Sequence, residues 1–443
     1  MRSMMGARSM KLMSVSILSA VLCGSLVAKA DGKATATAVA EKAPMVVAPE
    51  AAAVTEATAA SVPAPTTALG SSGIAAQVVP QVAPVMSADS RMWKAPNFSN
   101  QKDALGYFNG AFAVPKGMEK QVQFWVDIYS KYTTEQGVIH DQDSVETVYQ
   151  VVDLKGLKTD REKQKKVDQV KKEIALRLKM DKNQASRLRF QLGQKDRMQT
   201  AIFYSGRYLE DMEKIFREAK LPAELTRLAF VESSFNIMAR SKVGASGIWQ
   251  IMPYTARPYK MISSSVDKRN HPLEATKLAA KLLRNNYNML ESWPLAVTGY
   301  NHGPTGVKKM TTEYKTKDLG HLIENVDSRK SFGFASRNFY ACFLAALEVE
   351  KNANVYFGSV LWSKPLDSQD LKLPVSVKYH DLVKWFDGDK EKAAIYNPHL
   401  TTLVTKRGYS IPARTVVSIP KDKYNIALIS LAHKERNVAS ARR

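Results

Sequence analysis

The residue type best placed to do chemistry is Glu232, within the stretch LPAELTRLAFVESSFNIMARSKVGASGIWQIMP that runs from Leu221 to Pro253. Pro222 can open a helix there, because its missing N–H falls where a helix has no internal partner. Leu221, Leu225, Leu228 and Glu232 then recur at helical spacing, so all four share one face. A carboxylate at the end of an apolar stripe is desolvated, which favours its protonated form and raises its pKa. Gly244 and Gly247 follow and permit turns that other residues resist, and Trp249 and Gln250 supply an aromatic wall and an amide. An acid in an apolar niche beside such a loop is laid out to protonate a glycosidic oxygen. The plain alternative for a lone Glu on such a face is a boundary residue whose carboxylate reaches water.

A glycosidase of the common hydrolytic kind needs two carboxylates, an acid and a base or nucleophile opposite it. No second one accompanies the ESSFN, GASGIWQ or GYNHG segments. Asp267 and Glu274 lie nearby in sequence, but in helix-start contexts, where acids complement the positive helix end. The seven histidines are scattered, and no His-Glu-x-x-His or Cys-x-x-Cys occurs. No metal site is therefore expected. Phosphate-cradling glycine loops and nucleophile elbows are likewise missing, and no cofactor is expected.

The elements that must position Glu232 are mostly helical. Val122, Trp125, Tyr129 and Tyr132 mark one amphipathic helix, and Val167, Val170, Ile174 and Leu178 another. The lysines between Lys155 and Lys182 are interleaved with acids and read as a solvated face rather than a nucleic-acid patch. A third helical stretch, about 198–220, leads into the Glu232 segment. Beyond it, Pro272 starts a helix with Ala275, Leu278, Ala279, Leu282, Leu283 and Leu290 on one face. Trp293-Pro294 opens the next, which ends at GYNHGP, and a last strong helix spans about 334–351. The tail changes character: residues 373–377 and 415–419 alternate like strands, with short helices at 381–386 and 391–396 between them.

At 443 residues the chain has room for two or three domains. Arg2, Arg8 and Lys11 precede an apolar run to Val27, and Ala28-Lys29-Ala30 fits a signal-peptidase site, which predicts export to the periplasm. Leu22 before Cys23 is not small, which disfavours a lipoprotein anchor. Cys342 would then be the one cysteine left, excluding an internal disulfide and predicting a buried thiol. Residues 31–90, rich in Ala, Val, Pro, Thr and Ser, read as a disordered tether. The net charge of +22 suits a polyanionic partner, whether nucleic acid, an acidic membrane surface or a cell-wall polymer.

ESSFN, the GASGIWQIMPYTA context and the later GYNHGPTGV together resemble the lytic transglycosylases of the goose-lysozyme-like (SLT) family, the membrane-bound murein transglycosylase D type in particular. The resemblance extends more weakly back through FWVDIYSKY and SGRYLEDMEKIF. It implies a mainly α fold: a lysozyme-like helical catalytic domain with a helical N-terminal extension. It also implies an exported enzyme that cleaves the bond between N-acetylmuramic acid and N-acetylglucosamine in peptidoglycan and closes a 1,6-anhydro ring. In that family one Glu acts twice, so Glu232 is the expected acid and then base, and no second carboxylate is needed. Ser234, Trp249, Gln250, Met252, Tyr300 and Asn301 are the substrate-contacting positions the resemblance implies. A hydroxyl at Ser233 or Ser234 would orient the carboxylate or cap the helix end, Trp249 would line a sugar groove or be core, and Asn301 would hold an acetamido group or brace its loop.

Gly299, His302 and the Arg337-Asn338-Phe339 segment depart from the family pattern, which has alanine, a small residue and Arg-Asn-Tyr there. The tail resembles a degenerate LysM-type glycan-binding module through Asn397-Pro398 and IPARTVVSIP, without the opening Gly-Asp-Thr. The expected layout is thus a signal peptide over 1–30, a linker over 31–90 and a helical N-terminal region over 91–210. A catalytic domain follows over 211–355, then a small α+β LysM-like module over 366–425 and a basic tail over 426–443. Peptidoglycan strands are the expected partner, on a monomer associated with wall or membrane and not with nucleic acid. A non-catalytic peptidoglycan-binding scaffold and a lysozyme-type hydrolase are the rival readings.

Overall fold

A computed structural model describes residues 111–327 and 332–440 of the chain; the expected signal peptide, Cys23 and tether lie outside them. The architecture is mainly helical and is arranged around the helix Phe334–Lys351, most of whose residues are buried. A helix that is apolar nearly all round can only sit inside a protein. Cys342 lies in it, buried as expected.

Helix α1 (Glu119–Ser130) lies against this central helix. Its amphipathic face buries Val122, Trp125 and Tyr129, and the Trp125 Nε1–H and Gln121 Nε2–H both donate to Asn338 Oδ1 at 2.8 Å. Asn338 therefore ties the two helices together, while Phe339 beside it belongs to the core.

The N-terminal region is not purely helical. After α1 come strands β1 (Gln136–Asp141) and β2 (Val148–Asp153), helices α2 (Asp160–Arg177) and α3 (Lys182–Ser186), and strand β3 (Leu188–Leu192). The strands form one antiparallel sheet in the order β2-β1-β3, with Ile139 opposite Gln150 and Phe190. Val138, Ile139, Val148, Val151 and Val152 are β-branched and fit a pleated surface better than a helix. Gly137 is required at the centre, because a Cβ there would lie 2.4 Å from the Phe190 ring. Helix α2 opens with a capping box between Thr159 and Glu162 and buries Val167, Val170 and Ile174 against the sheet's own small core. Lys165, Lys166 and Lys172 face solvent, Lys163 and Lys171 are half-buried, and Leu178 is exposed just past the helix end.

Helices α4 (Lys195–Ser205) and α5 (Leu209–Glu218) lead to Pro222. Here the expected single helix is a 3-10 turn (Ala223–Arg227) running into a short α6 (Leu228–Ser233). The face is as read: Leu221, Leu225, Leu228 and Glu232 are all buried. A brief α7 (Pro253–Ala256) follows the glycine loop, then α8 (Pro272–Leu290), α9 (Trp293–His302), α10 (Pro304–Glu313), α11 (Leu319–Asn325) and the central helix, α12. Pro272 stands at the first turn of α8, and the His271 side chain caps that helix by accepting from Glu274 N.

After α13 (Ala353–Phe357) the C-terminal module begins. Strand β4 (Ser368–Lys372) pairs antiparallel with the later β7 (Val416–Pro420). Between them lie β5 (Val377–Lys378), α14 (Tyr379–Lys384), α15 (Lys390–Tyr396), α16 (Thr402–Thr405) and β6 (Ser410–Ile411), with β5 paired to β6. Leu373, Leu382, Phe386, Val417 and Ile419 form its core. Asn397 is buried and bridges α15 to β7, accepting from Ser418 N at 2.8 Å and donating to Ser418 O at 2.9 Å. The segment expected as a basic tail is instead helix α17 (Tyr424–Ser440), which places Ala427 and Leu431 in the module core. Residues four apart on one helical face explain that docking. No helix among the described residues is long and apolar enough to cross a membrane.

Candidate active site

Glu232 sits on the last turn of α6, buried at 3% exposure. The helix stops at once: Ser234 and Phe235 both take left-handed backbone conformations, with φ of 50° and 58°. The Ser233 hydroxyl shares its one hydrogen between Ala229 O at 3.1 Å and Ile248 O at 3.0 Å, which pins the end of α6 to the GASGIWQ loop. Ser233 is thus a staple between two backbones, and the half-buried Ser234 is the hydroxyl nearer to solvent.

The loop is tightly specified. Gly247 has a φ of +77°, and a Cβ there would lie 1.9 Å from Arg269 O, so no other residue fits. Gln250 also has a positive φ, 43°, and its Nε2 donates to Gly247 O at 2.8 Å and Ala239 O at 3.2 Å. With both amide hydrogens directed at protein carbonyls, what Gln250 can offer a ligand is its carbonyl oxygen. Met252, half-buried, precedes α7.

Trp249 does not line a groove. It is fully buried, stacks on Phe216 at 5.8 Å and donates its Nε1–H to Thr276 Oγ1 at 2.8 Å. Its indole is core, and its apolar bulk wins over the wall role expected from its place in the motif. Its backbone still matters, because the Tyr300 hydroxyl donates to Trp249 O at 3.0 Å.

Tyr300 brings the third motif to the same place. Burial pushes its phenol well above the usual range, and the Glu232 carboxylate pushes it further. Glu232, Trp249 and Tyr300, from three separate segments, therefore converge. Asn301 is buried and accepts from Ser336 Oγ at 2.9 Å, a contact that braces α9 against α12. Ser336 spends its hydrogen on Asn301, so His302, 3.3 Å away through Nδ1, is the donor of that pair. Burial lowers the His302 pKa, and its ring stands edge-on to Phe332.

The transglycosylase SLT domain model matches residues 213–323, which hold Glu232, the glycine loop and Tyr300. This segment is similar to transglycosylase SLT domains. Membrane-bound lytic murein transglycosylase D of Escherichia coli (strain K12) is 33% identical over 103 residues, 23% of this chain and 23% of that protein. A putative tributyltin chloride resistance protein of Alteromonas sp. (strain M-1) is 31% identical over 99 residues, 22% of this chain and 48% of that one. Among solved structures, an inactive mutant of lytic transglycosylase Slt from Pseudomonas aeruginosa matches with a TM-score of 0.27 and 21% identity, over 34% of this chain and 25% of that one. The chain thus spans about a quarter of the length of the first of these relatives.

Buried charges that the motifs do not include lie in and around this segment. Glu213 on α5 and Glu350 on α12 both pair with Arg227, the residue preceding α6, with Glu350 Oε2 3.1 Å from its Nε. Burial pushes Arg227 down, but Glu350 and Glu213 outweigh it and hold the guanidinium above its ordinary range. The Asp267 carboxylate meets Arg269 at two points and caps a 3-10 turn, the helix-start role expected of it. Glu274 stands in the first turn of α8 beside Lys277. Among the described residues, the buried acids Asp141, Glu213, Asp267 and Glu350 are each ion-paired with an arginine. No group of three or more His, Cys, Asp or Glu able to hold a metal occurs among the described residues. One sequence signal was available: Glu213 and Glu350 are charges at positions where helical periodicity demands apolar residues.

Proposed function

We propose that this chain is an exported lytic transglycosylase that cleaves the N-acetylmuramic acid–N-acetylglucosamine bond of peptidoglycan. The observation that carries this is the convergence of Glu232, the Trp249–Gln250 backbone and Tyr300 at one place. Glu232, protonated, donates to the glycosidic oxygen as the C1–O bond breaks. The resulting carboxylate then takes the proton of the muramic C6 hydroxyl, and O6 closes on C1 to give the 1,6-anhydro product. No water is consumed, and the nucleophile is already on the same ring, which makes the closure efficient.

Supporting roles follow. Tyr300, kept neutral by burial and by Glu232, presents an uncharged oxygen beside the acid. Gln250 offers its carbonyl oxygen to a sugar N–H or O–H, and the half-buried Ser234 and Met252 add further contacts to the strand. Trp249 and Asn301 act from behind, holding Tyr300 and α9 in place. The name of the membrane-bound murein transglycosylase relative, the apolar run before Ala30 and the net charge of +22 support action on an acidic wall polymer outside the cytoplasm.

Purified sacculi incubated with the protein should release muropeptides lighter by one water than their hydrolysis products. Reducing-end products alone would make it a lysozyme-type hydrolase, and binding without soluble product would make it a scaffold. Glu232→Gln should reduce release by about 10²–10⁴-fold, the usual worth of a positioned general acid. Unchanged release would refute the acid assignment.

A further inference from the structure

The segment between α7 and α8 has two sides. Towards the C-terminal module, the Val266 side chain is part of that module's core, and its backbone bridges to Leu400. Asp267 N donates to His399 O at 2.8 Å, Thr401 N to Ser265 O at 3.1 Å and Thr401 Oγ1 to Ser264 O at 2.7 Å. Towards the site, the Asp267 carboxylate holds Arg269 through Nε at 2.9 Å and Nη2 at 2.8 Å. The remaining nitrogen, Nη1, donates to Gly244 O at 2.8 Å and to Ile251 O at 2.9 Å, the two ends of the loop that carries Gln250. Ser246 Oγ donates to Asn270 Oδ1 at 2.6 Å from the middle of the loop.

We propose that Asp267 and Arg269 are positioning residues for the Gln250 loop, and that the C-terminal module sets that loop's geometry through Val266, His399 and Thr401. This rests on the transglycosylase reading for its effect on activity, but not for its effect on the loop. The guanidinium is the one side chain whose fixed fork can meet a carboxylate edge-on while clamping two carbonyls from its other end. The clamp has something to hold: Gln250 sits at a positive φ that a non-glycine residue keeps only when its surroundings insist. A module docked on the back of the loop thus acts on substrate affinity without touching glycan.

Amide exchange on the full chain tests this. The loop amides are hydrogen-bonded within the loop and to its flanks, for example Gly247 N to Ala239 O at 2.9 Å and Ile251 N to Ser246 O at 3.2 Å. In Arg269→Lys, amides 244–251 should exchange about tenfold faster, with α8 and α12 unchanged, because local opening is all that is released. Val266→Ala, which trims the module side only, should do the same more weakly. On sacculi both variants should raise KM several-fold, about 3–10-fold, with kcat within about twofold, the mark of lost ground-state positioning. Unchanged loop exchange in both variants would overturn the proposal, as would faster exchange throughout the chain. Faster loop exchange with kcat and KM both unchanged would overturn the positioning role. Should the wild-type protein release no product, the exchange result still decides whether the module holds the loop.

Discussion

Arg227→Met offers a sharp test of how α6 is held. The helix has six residues, too few to be stable alone, and it carries Glu232 on its last turn. Its anchor is the guanidinium just before it, whose side chain is 1% exposed and reaches Glu350, 2% exposed, and Glu213, 6% exposed. Methionine would fill most of the volume but leave the carboxylates without that cation. The two do not suffer equally. Glu213 keeps Arg217, whose Nη1 lies 3.0 Å from Oε2, whereas Glu350 loses Arg227, its arginine partner. One buried carboxylate stripped of its partner costs about 3–5 kcal/mol, and the loss should lie near the lower end because methionine repacks the site. The measurement is urea unfolding of the single variants and the Arg227→Met/Glu350→Gln pair. The pair should recover most of the loss, giving a coupling of about 2 kcal/mol or more. The Glu213→Gln pair should recover much less. A single-variant loss below about 1 kcal/mol, or equal recovery by both partners, would refute this account of the cluster.

Two further outcomes follow from buried groups. Burial lowers the pKa of His140 to about 4, and burial together with His271 lowers that of His399 to about 3. Both folded values lie below the unfolded 6.5, so the unfolded chain binds more protons as the pH falls and stability drops below about pH 6.5. At pH 5 each should cost on the order of 2 kcal/mol, and thermal unfolding from pH 7.5 to 5 should show it. A flat profile would refute the neutral burial of these rings. Gly247→Ala places a methyl against Arg269 O at a φ of +77°. It should cost about 2–5 kcal/mol from strain and overpacking, with a soluble but loosened protein seen in the calorimetric midpoint; an unshifted midpoint would show that the loop moves aside freely.

How much of this was legible in the sequence depends on the range of the forces involved. The faces of α1, α2, α8 and the Glu232 helix follow from local periodicity, and each buries most of the residues so indicated, as Val122, Val167, Leu278 and Leu228 do, while Leu178 stays exposed. Local pattern could not say that Trp249 faces inward, because a tryptophan next to a ligand loop and one beneath it have the same neighbours in sequence; Phe216 and Thr276, from two other helices, decide it. The β2-β1-β3 sheet escaped for a related reason: its strands are short, and β3 joins β1 only after α2 and α3 intervene. The same holds for the buried charges. Arg227 and Arg269 read as surface residues until partners 123 positions apart, in the case of Glu350, or loop carbonyls folded back onto them come into view. The motifs themselves point to Glu232 and Tyr300. The residues that fix where those groups point are spread through α5, α12 and the C-terminal module, and only the folded chain brings them to the loop and to α6.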